Sequence, residues 1–262
     1  MKLLITALLL IVFCACNNAD KNEALSMPGT YKMLYQKVKG GKTDTTFTSL
    51  QQLKIYTSDY MMYANFNPAD STSNFGIGTY TKTADTVIEK VFYNGSDSTK
   101  SETIHNFKLI ITKTETGYKQ IIPDIPSAGE SFSLTEEYES VGTTTASPLD
   151  GAWKMDKAYY IKGKDTSMQH TAQFKTYNQG YFIWGHTYED STGKTHTGTG
   201  FGTFTLNGND KLIEKATEST YAEVRGHDFA IALEMDGADA FKQTITNKDS
   251  SVQVEYYKRL KK

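Results

Sequence analysis

The chain has 262 residues, a net charge of −2 and only 2 cysteines, against 17 Tyr and 13 Phe. That length suits two domains of roughly 110–120 residues each. Near-neutral charge without a basic patch argues against nucleic acid as a partner, because phosphate binding needs a concentrated positive footprint, and five prolines are too few for a disordered chain.

The first element is a targeting segment. Lys2 supplies a positive start and Leu3 to Phe13 is apolar, the length of a signal h-region and too short to span a bilayer. Phe13-Cys14-Ala15-Cys16 follows, then polar Asn17-Asn18-Ala19-Asp20. Ala15 before Cys16 resembles a bacterial lipobox. The resemblance implies removal of residues 1–15 and diacylglyceryl attachment at Cys16, so the expected partner is the membrane, reached through lipidated Cys16. Cys14 follows bulky Phe13 and fits less well. A plainly cleaved signal peptide is the alternative; against it, both cysteines of the chain lie in this segment. Residues 16–26 read as the lipidated cysteine and a polar tether.

Strand signals follow, short and divided by turn residues. The spacing predicts strands at Tyr31–Val38, Phe47–Tyr56, Tyr60–Phe66, Phe75–Thr81, Thr86–Phe92, Asn106–Thr112, Tyr118–Ile122 and Ser131–Glu139. Gly40-Gly41, Ser58-Asp59, Asn94-Gly95 and Thr116-Gly117 supply turns. Gly142 to Ser147 is polar apart from Ala146 and reads as a linker, 142–147.

Beyond it the plan repeats. Gly29-Thr30-Tyr31-Lys32-Met33 returns as Gly151-Ala152-Trp153-Lys154-Met155, and Gly76-Ile77-Gly78-Thr79-Tyr80 as Gly200-Phe201-Gly202-Thr203-Phe204. Ile88-Glu89-Lys90 returns as Ile213-Glu214-Lys215, and Tyr118-Lys119-Gln120 as Phe241-Lys242-Gln243. Ordered matches at a near-constant offset mean duplication of a domain-sized unit. Eight short strands per copy without a helical pattern predict an all-β chain. It would hold two tandem antiparallel up-and-down barrels, residues 27–141 and 148–262.

Gly151-Ala152-Trp153 resembles the Gly-x-Trp that opens lipocalins. Together with Tyr181-Phe182-Ile183-Trp184, the Gly-x-Gly-Thr-aromatic strand and the closing Glu255-Tyr256-Tyr257-Lys258-Arg259, it is similar to the lipocalin-like domains of Bacteroidota lipoproteins. The resemblance covers nearly the whole mature chain and implies two small calycin barrels. It also implies that Trp153, and Tyr31 in its place in copy one, plug the barrel floors. Met33 and Met155, two residues on, share that inward face.

Chemistry-bearing residues are sparse. Tyr60 and Tyr63 in copy one, and Tyr181, Ile183 and Trp184 in copy two, mark one aromatic strand; they are the candidate ligand wall, with a filled core as the alternative. His105 and His227 recur at the repeat offset; His186 and His196 flank a turn and could approach across a hairpin. Two imidazoles make a poor metal site. Glu89 and Glu214 occupy matching strands, where surface pairing competes with an inward acid. No nucleophile elbow, phosphate loop or metal spacing occurs, so no catalytic residue, metal or cofactor is expected.

The expectation is therefore a binding protein and not an enzyme: a lipoprotein anchored to the bacterial outer membrane that holds a small apolar or glycan-like ligand. Two alternatives stand. One is a structural lipoprotein with filled barrels, and the other an enzyme using an interior Glu or His. Copy two, with both Trp and four of the 5 His, is the better ligand barrel.

Overall fold

The computed structural model describes residues 25–95, 104–127, 130–143 and 145–262. The expectations for the signal segment, for Cys16 and for most of the tether lie outside these residues.

The described chain is all strand and turn. The first half runs β1 (Gly29–Gly40), β2 (Thr43–Phe47), β3 (Gln51–Tyr56), β4 (Tyr60–Asn67), β5 (Thr72–Thr83), β6 (Thr86–Asn94), β7 (His105–Lys113), β8 (Gly117–Ser127) and β9 (Glu130–Val141). The second runs β10 (Gly151–Lys162), β11 (Asp165–Gln169), β12 (Thr171–Asn178), β13 (Tyr181–Glu189), β14 (Thr195–Asn207), β15 (Lys211–Ser219), β16 (Asp228–Asp236), β17 (Ala240–Thr246) and β18 (Val252–Arg259). Every pairing is between antiparallel neighbours, and β1–β9 and β10–β18 close the two sheets. Closure leaves a free edge only on the short strands β2 and β11, each paired on one side.

Each sheet has nine strands but each barrel has eight staves. β2 and β3 pair with successive stretches of the same edge of β1, as β11 and β12 do with β10. The single strand expected at Phe47–Tyr56 is thus broken. Thr48 and Ser49 bend outward to solvent, and Leu50 packs against the interior.

The repeated glycine motif has a steric origin. At Gly78 and Gly202 the ladder carries a β-bulge, and a Cβ there would run into the carbonyl oxygen of Lys90 or Lys215. Two residues earlier, a Cβ on Gly200 would lie 2.8 Å from the Trp184 ring. The first glycine makes room for an inward aromatic; the second lets two backbones approach.

Three apolar clusters result. Two fill the barrels: Tyr31, Met33, Tyr118 and Tyr138 belong to the first, and Trp153, Met155, Phe241 and Tyr257 to the second. The third lies between the barrels, where Ile55, Met62, Phe66 and Phe75 pack against Ala152, Phe174, Ile183 and Phe201. Equivalent strands meet there: β3 with β12, β4 with β13 and β5 with β14. The barrels therefore pack through the same face, in the manner of a two-fold dimer made in one chain.

Candidate functional site

The floor of the second barrel is set by Trp153. Its ring is fully buried, its Nε1 donates to the Leu149 carbonyl at 2.7 Å, and the Arg259 guanidinium lies 4.0 Å above it. Arg259, on the last strand, also donates to the carbonyls of Asp150 and Pro148, which ties the closing strand to the opening one. In the first barrel Tyr31 takes the Trp place. It packs edge-on against Tyr56 and Tyr118, and its hydroxyl donates to the Ser26 carbonyl at 3.2 Å.

Above each floor lies a buried polar ladder. In the second barrel Lys175 Nζ is 2.8 and 3.0 Å from the two oxygens of Glu214 and donates to Gln243 Oε1 at 3.2 Å. Tyr177 also donates to Glu214. Glu255 accepts from Tyr257 Oη and from the amides of Gln173, Gln243 and Gln253. The first barrel holds the same set: Lys54 pairs with Glu89 at 2.7 Å, Tyr56 donates to Glu89, and Glu136 accepts from Gln120, Tyr138 and Gln36. Burial, with the adjoining carboxylates, raises Tyr56, Tyr138, Tyr177 and Tyr257 well above the ordinary phenol range, so these hydroxyls stay protonated and donate.

The interior carboxylates correct one expectation. Glu89 and Glu214 are buried inside the barrels, paired with Lys54 and Lys175 from three strands away, and are not part of a surface ladder. Sequence reasoning missed Lys54, Lys175, Gln173, Gln243 and Glu255. The signal was present: Gln52, Lys54 and Tyr56 recur as Gln173, Lys175 and Tyr177, at alternate positions that share one face. Polar residues on that face normally mark solvent, which hid them.

The aromatic strand is divided by its own alternation. On β13, Phe182 and Trp184 point into the barrel, whereas Ile183 and Tyr181 pack in the inter-barrel cluster. On β4, Tyr63 packs against the first interior and Tyr60 lies at the interface. Of the candidate ligand residues, Trp184 and Tyr63 therefore face barrel interiors. Tyr60, Tyr181 and Ile183 do not; the period of two turns them outward, where the other barrel covers them.

A cavity of about 250 Å³ opens in the second barrel between the ladder and the mouth. Phe182, Trp184, Phe229 and Ile231 form its apolar wall, and Lys175, Glu214 and Glu255 its polar one. It shares Gln173, His186, Gln253 and Glu255 with a further space of about 440 Å³ bounded by Tyr188 and Glu189. The room has a sequence origin. Ala216 stands opposite Gly202 where the first barrel has Val91 opposite Gly78. Ala158 stands opposite Glu255 where the first barrel has Gln36 opposite Glu136.

The segment after β15 folds over this cavity. Tyr221 lies nearly parallel to Trp184 with ring centres 6.0 Å apart, and Val224 lines the space beneath. His186 links the segment to the barrel through Nε2 to Tyr221 Oη at 2.7 Å and Nδ1 to Gln173 Oε1 at 3.1 Å. Burial lowers His186 to about 4 and lifts Tyr221 to about 12, so both are neutral near pH 7. His196 instead meets Asp190 at 2.7 Å and stacks on Tyr188, whose ring also meets His186 edge-on; the two imidazoles share no hydrogen-bond partner. His105 stacks on Phe107, and His227 is exposed.

No family model matches the chain, and no curated protein matches it. Among solved structures, it is similar to a protein of unknown function from the DUF3598 family of Nostoc punctiforme. Identity is 11%, coverage is 89% of this chain and 96% of that one, and the TM-score is 0.26. A likeness at that score carries no argument, and the barrel assignment rests on the strand pairing described above.

Proposed function

We propose that this chain is a lipoprotein of the bacterial cell envelope, anchored to the outer membrane through Cys16, whose second barrel binds a small, partly apolar ligand. The observation that supports binding is the cavity of about 250 Å³ above the buried ladder. An apolar cavity of about 150 Å³ suffices for a benzene-sized guest, so the space suits one ring, aromatic or sugar, with a short substituent. Trp184 offers a stacking face, while Gln173, Glu255 and Lys175 offer polar atoms that fix orientation.

The reading is of a binder and not an enzyme. Both oxygens of Glu214 are engaged by Lys175, and Tyr177 donates to one of them. A carboxylate so held orients partners and is poorly placed to exchange a proton. The second reading, a structural lipoprotein with filled barrels, is favoured by the cavity's size, just below the usual ligand-pocket range of about 300–1,000 Å³.

Native mass spectrometry of the purified protein separates the two. A bound small molecule, lost in Ala216→Val, supports the ligand reading; that substitution only gives the second barrel the residue of the first. A bare protein mass for both variants favours the structural one.

A further inference from the structure

We infer that the second barrel selects a small organic cation: an ammonium group set against Glu255, with an aromatic or short alkyl body against Trp184. This rests on the ligand reading above and names the chemistry of the same cavity.

Charge balance carries the inference. Three formally charged side chains line the cavity, Lys175, Glu214 and Glu255. Lys175 and Glu214 neutralise each other at 2.8 Å. Among the described residues Glu255 faces only neutral donors, three Gln amides and the Tyr257 hydroxyl. Among the described residues no Lys or Arg lines the further space that Glu255 shares. A buried carboxylate without a cation is expensive, and amide donors offset that cost only in part.

The duplication supplies a second, independent observation. In the first barrel Gln36 Nε2 donates to Glu136 Oε1 at 2.9 Å. The equivalent of Gln36 is Ala158, which removes that donor and lines the space beside Glu255. The barrel with the cavity thus takes its Oε1 donor from Gln253 on the closing strand and gains room beside its carboxylate, which still has no cation. Gln253 supplies one hydrogen bond to Glu255 Oε1, at 2.6 Å, and is half-buried at the cavity wall. A carboxylate oxygen accepts more than one donor, so an ammonium can join it. Trp184 completes the fit, because a desolvated cation is drawn to an aromatic face. His186 does not compete for the role, since burial holds it neutral until about pH 4.

Calorimetric titration of the full chain with three probes of one shape tests this: 2-phenylethylammonium, neutral 2-phenylethanol and anionic phenylacetate. We expect the ammonium to bind at least tenfold tighter than the alcohol, and the anion weakest. Glu255→Gln is expected to erase the preference while leaving the alcohol's affinity within about threefold. Ala158→Gln, which restores the first barrel's internal donor, is expected to weaken the ammonium selectively. Equal binding of ammonium and alcohol to the unmodified chain would overturn the cation inference and leave the ligand reading standing. Silence from all three probes, with a bare mass in the native spectrum, would overturn both.

Discussion

At the scale of single residues, the two buried lysines do most to define the barrel interiors. Lys54 and Lys175 are nearly inaccessible, each held across the barrel by a Glu three strands away. Removing one partner of a buried pair leaves an uncompensated charge and costs about 3–5 kcal/mol, whereas replacing both by apolar groups is often close to neutral. Lys175→Met is therefore expected to lower stability by about that amount in a urea titration. Lys175→Met combined with Glu214→Leu is expected to recover most of it. Equal losses for single and double variants would show that the pair is not the unit of stability.

His186 adds a pH dependence. The groups facing it are Gln173, Tyr221, Tyr188 and Trp184, with Glu255 on the same cavity wall. Its folded value of about 4 lies below the ordinary 6.5, so the folded state binds fewer protons than the unfolded one between these values. The stabilisation is complete above pH 6.5 and is lost as pH falls towards 4, by up to about 3 kcal/mol. Asn65 holds the equivalent place in the first barrel, opposite Gln52 as His186 is opposite Gln173. His186→Asn is accordingly expected to flatten the stability profile between pH 6.5 and 4. An unchanged profile would assign the acid sensitivity elsewhere.

At the scale of elements, strand β13 shows what could be read in advance and what could not. Its aromatic content and its match to β4 were legible, because branched and aromatic residues mark strands. Its phase was not. Tyr181, Phe182, Ile183 and Trp184 are all large and apolar, so no polar alternation says which pair faces the interior. A second barrel covers the outer face, and a strand buried on both sides loses the signal that fixes register. The break between β2 and β3 was equally hidden, since Thr48 and Ser49 suit strands as well as bends. The Gly-x-Gly motif, in contrast, was legible as a repeat, and its steric cause emerged only with the bulge. Gly202→Ala should be costly, because the added methyl meets the backbone of β15. A drop of about 2 kcal/mol or more in a denaturant titration is expected, against less than about 0.5 kcal/mol for Lys248→Ala in an exposed turn; equal effects would contradict the bulge geometry.

At the scale of the whole molecule, duplication was readable from the ordered matches, and the polar linker from composition. That the copies share an apolar interface was not, because residues facing a neighbouring domain look like any buried face. Phe75 shows the closeness: it lies against Gly185 of the other barrel, where a Cβ would overlap its ring. Ser73 and Thr220 hydroxyls meet across the same boundary at 3.1 Å, and Arg225 covers Phe66 at 4.2 Å. Cleavage between Thr143 and Ser147 should thus give halves that stay associated in size-exclusion chromatography; halves that elute separately would show the interface to be incidental. The proposed anchor is tested at this scale too: if Cys16 is lipidated, Cys16→Ser should move the protein from the membrane to the soluble fraction.

The central claim is that the second barrel holds a usable ligand cavity, and tryptophan fluorescence reads it most directly. The only tryptophans are Trp153, sealed under Arg259, and Trp184 at the cavity wall. Titration with phenol, a short fatty acid, a monosaccharide and 2-phenylethylammonium should give a saturable change for at least one class. The change should be absent in Trp184→Phe and weakened at least tenfold in Ala216→Val. Flat titrations with every class, together with silent calorimetry, would contradict the claim and leave two filled barrels joined back to back.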